Sequence, residues 1–265
     1  MTTDLHLKRW DPSRLNPLST ILIIGKRGSG KSSLMRDIAY HLSRNRKIDY
    51  AVGFSCTEDS NQSLGTFLPR SLVHTSYKAS VVNKVYETQR RHSKSGKAEN
   101  VMLILDDCLW QKSMFNSETM RRLFFNSRHY KICVMMLAQY CMDLNPSLRG
   151  NIDLVFVARD LVVANRERLY RSYFGVFPTF GQFDRVMTTV TESFTFLVLV
   201  NNDVRSNRPE DVLFHYKADI DLPPFRLGRK IYWKMDSKVG KEEDLAASSS
   251  ATKVTGDLKI VLDTK

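Results

Sequence analysis

Eight consecutive residues, Gly25-Lys26-Arg27-Gly28-Ser29-Gly30-Lys31-Ser32, carry the most legible chemistry in this chain. Glycines at three of these positions let the backbone curl until successive N–H groups point inward and form a nest for phosphate oxygens. Lys31 is a cation long enough to reach the β- and γ-phosphates of a nucleotide, and the Ser32 hydroxyl is a hard oxygen ligand for Mg²⁺. Ser33 continues into a helix whose amino end adds a positive field of its own. A plain Gly/Ser turn accounts for the glycines but not for the Lys-Ser pair. The stretch therefore predicts a nucleotide site built from Gly25, Lys26, Arg27, Gly28, Ser29, Gly30, Lys31, Ser32 and Ser33.

A phosphate loop alone does not separate a switch, a kinase and a motor. The second signal is Val101-Met102-Leu103-Ile104-Leu105-Asp106-Asp107, an apolar run that ends in two carboxylates. Asp106 is placed to hold Mg²⁺ through water opposite Ser32, and Asp107 to polarise an attacking water. Neighbouring side chains on a strand face opposite sides, but where the strand ends the chain turns and both can reach one site. An acidic turn after a strand is common by itself; the upstream loop is what gives this one a catalytic reading. Gln139 is the third signal, closing the apolar run Ile132 to Ala138. Between parallel neighbours, that strand's carboxyl end lies beside the γ-phosphate. An amide there can bond both phosphate and water, although a simple polar cap on the strand would look the same.

These groups need a scaffold. Thr20 to Ile24 reads as the strand before the loop, and Leu34, Ile38 and Leu42 mark one apolar face of a helix over Lys31 to Arg44. Tyr50 to Phe54 reads as a further strand, Thr57 to Ser71 as a loop, and Val81 to Arg91 as a helix running into a basic loop from Arg90 to Lys97. Val101 to Leu105 is apolar without a break, as a central parallel strand covered on both faces should be. Helices follow at Ser117 to Asn126, Arg166 to Phe174 and Gly181 to Val190, and buried strands at Ile132 to Ala138 and Leu154 to Ala158. Thr195 to Val200 and Val212 to Tyr216 are late strands that could close the sheet as an antiparallel hairpin. The alternation predicts a three-layer α/β P-loop NTPase with a mostly parallel central sheet. About 75 residues separate Lys31 from Asp106, room for an additional strand between the two motifs. That insertion marks the branch containing motors and translocases. The Asn-Lys-x-Asp base reader of GTPases is missing, since Asn83-Lys84 is followed by Val85-Tyr86.

With 265 residues, 42% of them hydrophobic, the chain can bury a sizeable core. The expected organisation is an amino-terminal arm over 1–19, an ATPase domain over 20–237 and a flexible tail over 238–265. Within that tail, Leu258 to Leu262 could add a strand to a neighbour. A net charge of +12 favours a polyanionic partner. The clusters Arg90 to Lys97, Arg166/Arg168/Arg171 and Arg226/Arg229/Lys230 could grip DNA phosphates or simply be solvated faces. Cys56, Cys108, Cys133 and Cys141 form no C-x-x-C pair, and three lie in or beside apolar runs, where cysteine packs as a small core residue. No apolar run is long enough for a transmembrane segment, so a soluble, intracellular protein is expected.

With those residues in view, the chain resembles the genome-packaging ATPases of nucleocytoplasmic large DNA viruses, the poxvirus and giant-virus branch of the FtsK/HerA superfamily. Leu103-Ile104-Leu105-Asp106-Asp107-Cys108 is similar to that family's second motif. Asn126-Ser127-Arg128-His129-Tyr130-Lys131-Ile132 is similar to its Arg-His element, and Gln139 to its strand-end glutamine. The blocks Phe177-Pro178-Thr179-Phe180 through Thr191-Glu192, and Phe214-His215-Tyr216-Lys217-Ala218, extend the likeness, which covers roughly 21–218. The chain departs from many relatives in carrying Asp107 where they have Glu. The resemblance implies Mg²⁺-dependent ATP hydrolysis that drives double-stranded DNA into a preformed capsid. It also implies a homo-oligomeric ring, hexamer or pentamer, with ATP at the interfaces. Each site would be completed by a neighbour's arginine, Arg128 first and Arg149 second. Capsid or portal components would be partners, and the protein would work in the host cytoplasm, at the viral factory, and in the virion. A nucleoside or nucleotide kinase, or a non-hydrolysing assembly protein on the same fold, are the alternative readings.

Overall fold

Ile21-Leu22-Ile23-Ile24 and Val101 to Leu105 have apolar side chains on both faces, a pattern that water tolerates on neither, so each must lie inside a sheet covered twice. The computed structural model, which describes residues 5–108, 117–141, 144–202, 206 and 208–237, places them there. In chain order the elements are β1 (Lys8–Arg9), β2 (Thr20–Ile24), α1 (Lys31–Arg44), β3 (Tyr50–Ser55), α2 (Glu58–Asn61), β4 (Val73–His74), α3 (Ala79–Lys94) and β5 (Val101–Asp106). They continue with α4 (Glu118–Asn126), β6 (Ile132–Ala138), α5 (Pro146–Arg149), β7 (Leu154–Val157), α6 (Val163–Tyr173), α7 (Phe180–Val190), β8 (Thr195–Val200), α8 (Pro209–Val212) and β9 (Leu213–Lys217).

The strands described form one nine-stranded sheet in the order β1-β9-β8-β7-β2-β6-β5-β3-β4. All pairs are parallel except those of β8, which runs against both β7 and β9. The late strands thus form the expected antiparallel pair, and β3 is the additional strand between the two motifs. Strand alternation sends Leu22 and Ile24 to one face and Ile21 and Ile23 to the other. Leu22 and Ile24 join a core with Val82 of α3, Leu123 of α4, Leu169 of α6 and Phe183 of α7. Ile21 and Ile23 join Leu34, Ile38 and Leu42 of α1, with Phe67 and Leu68. Three layers result.

Several elements differ from expectation. The amino-terminal arm carries a short strand, β1. Lys8 and Arg9 pair with Phe214 and His215 as an edge strand, and Trp10 lies edge-on between Phe156 and Tyr216, with ring centroids 5.0 and 5.1 Å away. The stretch read as a loop, Thr57 to Ser71, holds α2 and runs into a 3₁₀ turn at Arg70–Leu72, and the short strand β4 follows it. Helix α3 continues to Lys94, so Arg90 and Arg91 belong to its last turns.

The chain divides into two compact units, Met1–Arg229 and Lys230–Lys265. In the second, 230–237 is helical. The tail beyond it, with Leu258 to Leu262, lies outside the described residues. Among the described residues, no helix is long and apolar enough to cross a membrane.

Candidate nucleotide site

The carboxyl ends of β2, β6, β5 and β3 lie side by side and parallel, so whatever follows each strand emerges at the same sheet edge. After β2 comes Gly25, after β6 Gln139, after β5 Asp107 and after β3 Cys56. The Gly25 N–H donates to the Ala138 carbonyl (3.0 Å) and the Asp107 N–H to that of Leu137 (3.3 Å), which pins the loop and the second carboxylate to the end of β6.

Gly25 is needed for close approach. A Cβ there would lie 2.4 Å from Ser29 Oγ and 2.7 Å from Ala158 Cβ, nearer than real atoms come. Gly30 is needed for its backbone, since it sits at φ 89°, in the left-handed region, immediately before α1 begins at Lys31. The first N–H groups of α1 have no partner within the helix, which leaves them for an anion held by the loop. The Lys26 ammonium meets Asp160 Oδ1 at 3.1 Å, tying the loop to the segment before α6.

Lys31 is almost wholly buried. Its Nζ donates to the Lys26 carbonyl (3.3 Å) and stands 3.9 Å from Asp107 Oδ2. That same oxygen accepts a hydrogen bond from Gln139 Nε2 at 3.0 Å. Asp107 Oδ1 and Ser29 Oγ are buried without a partner among the described residues. Asp107 holds a left-handed backbone, φ 48°. Asp and Asn enter that region far more readily than longer side chains do, which gives a local reason for Asp at this position.

Asp106 is buried beside it, and its Oδ2 accepts from Ser55 Oγ at 3.0 Å; Ser55 is its register partner on β3. Burial pushes the Asp106 carboxyl above the usual carboxylate range, while the Ser55 bond acts the other way. Thr57 Oγ1 continues this hydroxyl chain, 3.2 Å from Ser55 Oγ. Ser29, Gly30, Lys31, Thr57, Asp106, Asp107 and Gln139 line a cavity of about 770 Å³ that also takes in Arg27, Gly28, Ser32 and Ser33, while Ser55, Gly25 and Lys26 stand behind its wall. This size suits a small-molecule ligand. The hard oxygens of Ser32 and Asp106, with two orphaned oxygens close by, fit Mg²⁺, which usually takes one or two protein ligands and completes its shell with phosphate and water.

Most residues predicted for the site are therefore brought together. Arg128 and Arg149 are not, as neither lines the cavity. Arg128 lies in the 3₁₀ turn before β6, at the sheet's opposite edge, paired with Asp153, whose Oδ2 also accepts from the Thr20 N–H (2.8 Å). Arg166, expected among the phosphate-gripping candidates, is buried and engaged by Asp184 and the Asp160 carbonyl, so it is not free to meet DNA. Residues the sequence reading missed include Ser55, Thr57 and Asp160, and Phe194, Phe196 and Ile220 on the cavity wall. Ser55 was findable as the small polar residue ending β3; the apolar wall comes from segments more than 160 residues from the loop.

Fold and site define a P-loop NTPase fold with a strand inserted between the phosphate loop and the paired aspartates. No protein-family model matches the chain. It is 36% identical to uncharacterised protein 088R of Invertebrate iridescent virus 3 over 253 residues, which is 90% of this chain and 96% of that one. It is 31% identical to uncharacterised protein 015R of Frog virus 3, over 90% of this chain and 73% of that one. The chain belongs to the family of large-DNA-virus proteins that these relatives represent. Among solved structures it is similar to the genome packaging NTPase B204 of Sulfolobus turreted icosahedral virus 2 in complex with ATP-gammaS. The TM-score is 0.55 and the identity 18%, over 77% of this chain and 99% of B204. The resemblance seen in the motifs thus holds for relatives, which are proteins of large DNA viruses, and for fold, which is that of a viral packaging NTPase.

Proposed function

We propose that this protein is an ATP-hydrolysing motor that drives double-stranded viral DNA into a preformed capsid. One observation carries the reading: Lys31 from the start of α1, Asp106 and Asp107 from the end of β5, and Gln139 from the end of β6 converge on one cavity at the carboxyl edge of parallel strands. In this reading the Gly25–Gly30 nest and Lys31 hold the β- and γ-phosphates. Ser32 and Asp106 hold Mg²⁺, which when bound neutralises charge building on the transferring phosphoryl group. Asp107 orients the attacking water and receives its proton. Gln139, bonded to Asp107, contacts that water and the phosphate, and so registers whether the γ-phosphate is present.

The polymer being moved is supported by the net charge of +12 and by the fold shared with a packaging NTPase. Subunits would form a closed ring of five or six, with Arg128 of one completing the site of the next and capsid or portal components as its dock. It would act at the viral factory in the host cytoplasm and in the virion.

The test is ATP hydrolysis with and without duplex DNA across a salt series. Stimulation that fades as salt rises is expected, because phosphate contacts are lost to counterions. No stimulation at any salt would remove the motor and leave the nucleotide site. Labelled γ-phosphate appearing on a nucleoside instead of in water would make the protein a kinase.

A further inference from the structure

The nucleotide cavity is polar at one end and apolar at the other. Thr57, Ser60 and Asn61 stand at its β3 flank, while Phe194, Phe196, Ala218 and Ile220 form the opposite wall, beside β8 and beyond β9. Two of these apolar side chains face water instead of the core. Phe194 is 64% exposed and Ile220 73%.

The backbone holds Phe194 outward at a cost. Ser193 and Phe194 both adopt left-handed conformations, φ 51° and 63°. A bulky residue rarely enters that region, and strain of this kind persists where surrounding structure enforces it, most often at ligand sites. Here the enforcement is visible. Helix α7 ends at Val190, the Thr195 N–H closes a turn on the Glu192 carbonyl (3.0 Å), and β8 is then paired on both sides. Phe196, one residue into β8, is buried beneath. Both rings abut the phosphate loop, for a Cβ built at Gly30 would lie 3.7 Å from Phe194 Cδ1 and 3.8 Å from Phe196 Cε2.

We propose that Phe194, with Ile220, is the platform on which the base of the bound nucleotide stacks, and that this site selects purines by ring area and not by reading base edges. The proposal rests on the nucleotide site proposed above and adds what lies beyond its phosphates. Phosphates held in the nest at the start of α1 leave the sugar and base to extend along the cavity, and the wall adjoining that nest is this aromatic one. Every base has an apolar face that gains from stacking on a phenyl ring. Among the described residues of this wall, the polar side chain is Lys217, which has donors only. Guanine offers it N7 and O6, and adenine N7 alone, so this exposed ammonium favours guanine by at most about one hydrogen bond, roughly tenfold.

The experiment is displacement of a fluorescent ATP analogue by ATP, GTP, CTP and inorganic tripolyphosphate, from the native chain, Phe194→Ala and Phe194→Tyr. Phe194→Ala is expected to weaken ATP and GTP by roughly 5- to 100-fold, the usual range for loss of one stacking ring, and to leave tripolyphosphate unchanged. Phe194→Tyr should restore native affinity, and in the native chain ATP and GTP should bind within about tenfold of each other, both more tightly than CTP. Unchanged ATP affinity in Phe194→Ala would overturn the platform. So would equal weakening of ATP and tripolyphosphate, which would make Phe194 a support of the loop. ATP preferred over GTP by more than about a hundredfold would overturn selection by ring area. If neither ATP nor tripolyphosphate bound the native chain, the nucleotide site itself would fall, and the platform with it.

Discussion

Gln139 donates from Nε2 to Asp107 Oδ2 across 3.0 Å, joining the ends of two parallel neighbours, β6 and β5. Lys31 stands 3.9 Å from the same oxygen, so an amide and an ammonium converge on one carboxylate atom, while its other oxygen is orphaned. The amide is therefore coupled to the group that would orient water. Gln139→Met, close in volume but with no donor, is expected to keep ATP affinity within about threefold and to lower turnover about a hundredfold, the scale of losing one preorganised donor. Steady-state phosphate release beside equilibrium nucleotide binding would check it. Equal loss in both would make Gln139 a part of the binding surface.

Asp107 combines a chemical role with an unusual backbone. Asp107→Asn suits φ 48° and is expected to leave thermal stability unchanged while turnover falls by about 10²- to 10⁴-fold. Asp107→Glu restores a carboxylate but puts a longer chain into the left-handed region, at a cost of about 1 kcal/mol. Melting curves of the two variants beside the native chain separate the effects. A Glu variant as stable as native would remove the backbone explanation for Asp at this position.

The sequence was most readable where one local pattern served one purpose. Ile21 to Ile24 read as a doubly covered strand, and Gly25 to Ser32 as a loop whose spacing suits an anion. The short edge strands were not readable, because Lys8–Arg9 and Val73–His74 are two residues each and take their geometry from β9 and β3. Arg166 looked like a surface cation because its partner Asp184 comes from another helix. Phe194 carried no periodic signal at all; its exposure follows from two left-handed residues and from distant segments meeting at Gly30.

Asp106 trades stability for its position. Its carboxyl is raised above the unfolded value by burial, so the native state favours the proton. Stability is then fullest at pH below the unfolded value near 3.8 and is lost as pH rises through the higher native value. Asp106→Asn keeps an acceptor for Ser55 Oγ and removes the buried charge. In the absence of nucleotide it is expected to melt a few degrees higher than native at pH 7, with the gain shrinking as pH is lowered, and to lose turnover. Scans from pH 4 to 7 would check it. A variant less stable than native at pH 7 would show that Asp106 is held ionised at no cost.

Arg128 and the phosphate loop lie at opposite edges of one sheet, so Arg128 can meet a nucleotide only on another subunit, in a head-to-tail contact of the kind that closes rings. Its pairing with buried Asp153, which also accepts from Thr20 N–H, fixes where that guanidinium stands. If the ion pair is its whole role, Arg128→Ala will cost only stability, about 1–3 kcal/mol because buried Asp153 loses a partner, and hydrolysis by the folded protein will be unchanged. The expectation instead is a fall of about 10³- to 10⁵-fold in turnover with ATP binding intact, the usual effect of removing a trans arginine. Arg128→Lys should fail as well, because an ammonium lacks the planar fork that spans two phosphate oxygens. Mixing decides the matter. Arg128→Ala subunits retain Lys31, and Lys31→Ala subunits retain Arg128, so a mixed ring regains hydrolysis at each junction where the first kind is served by the second. Two inactive preparations that stay inactive when mixed, while co-assembling by mass photometry, would remove Arg128 from the neighbour's site.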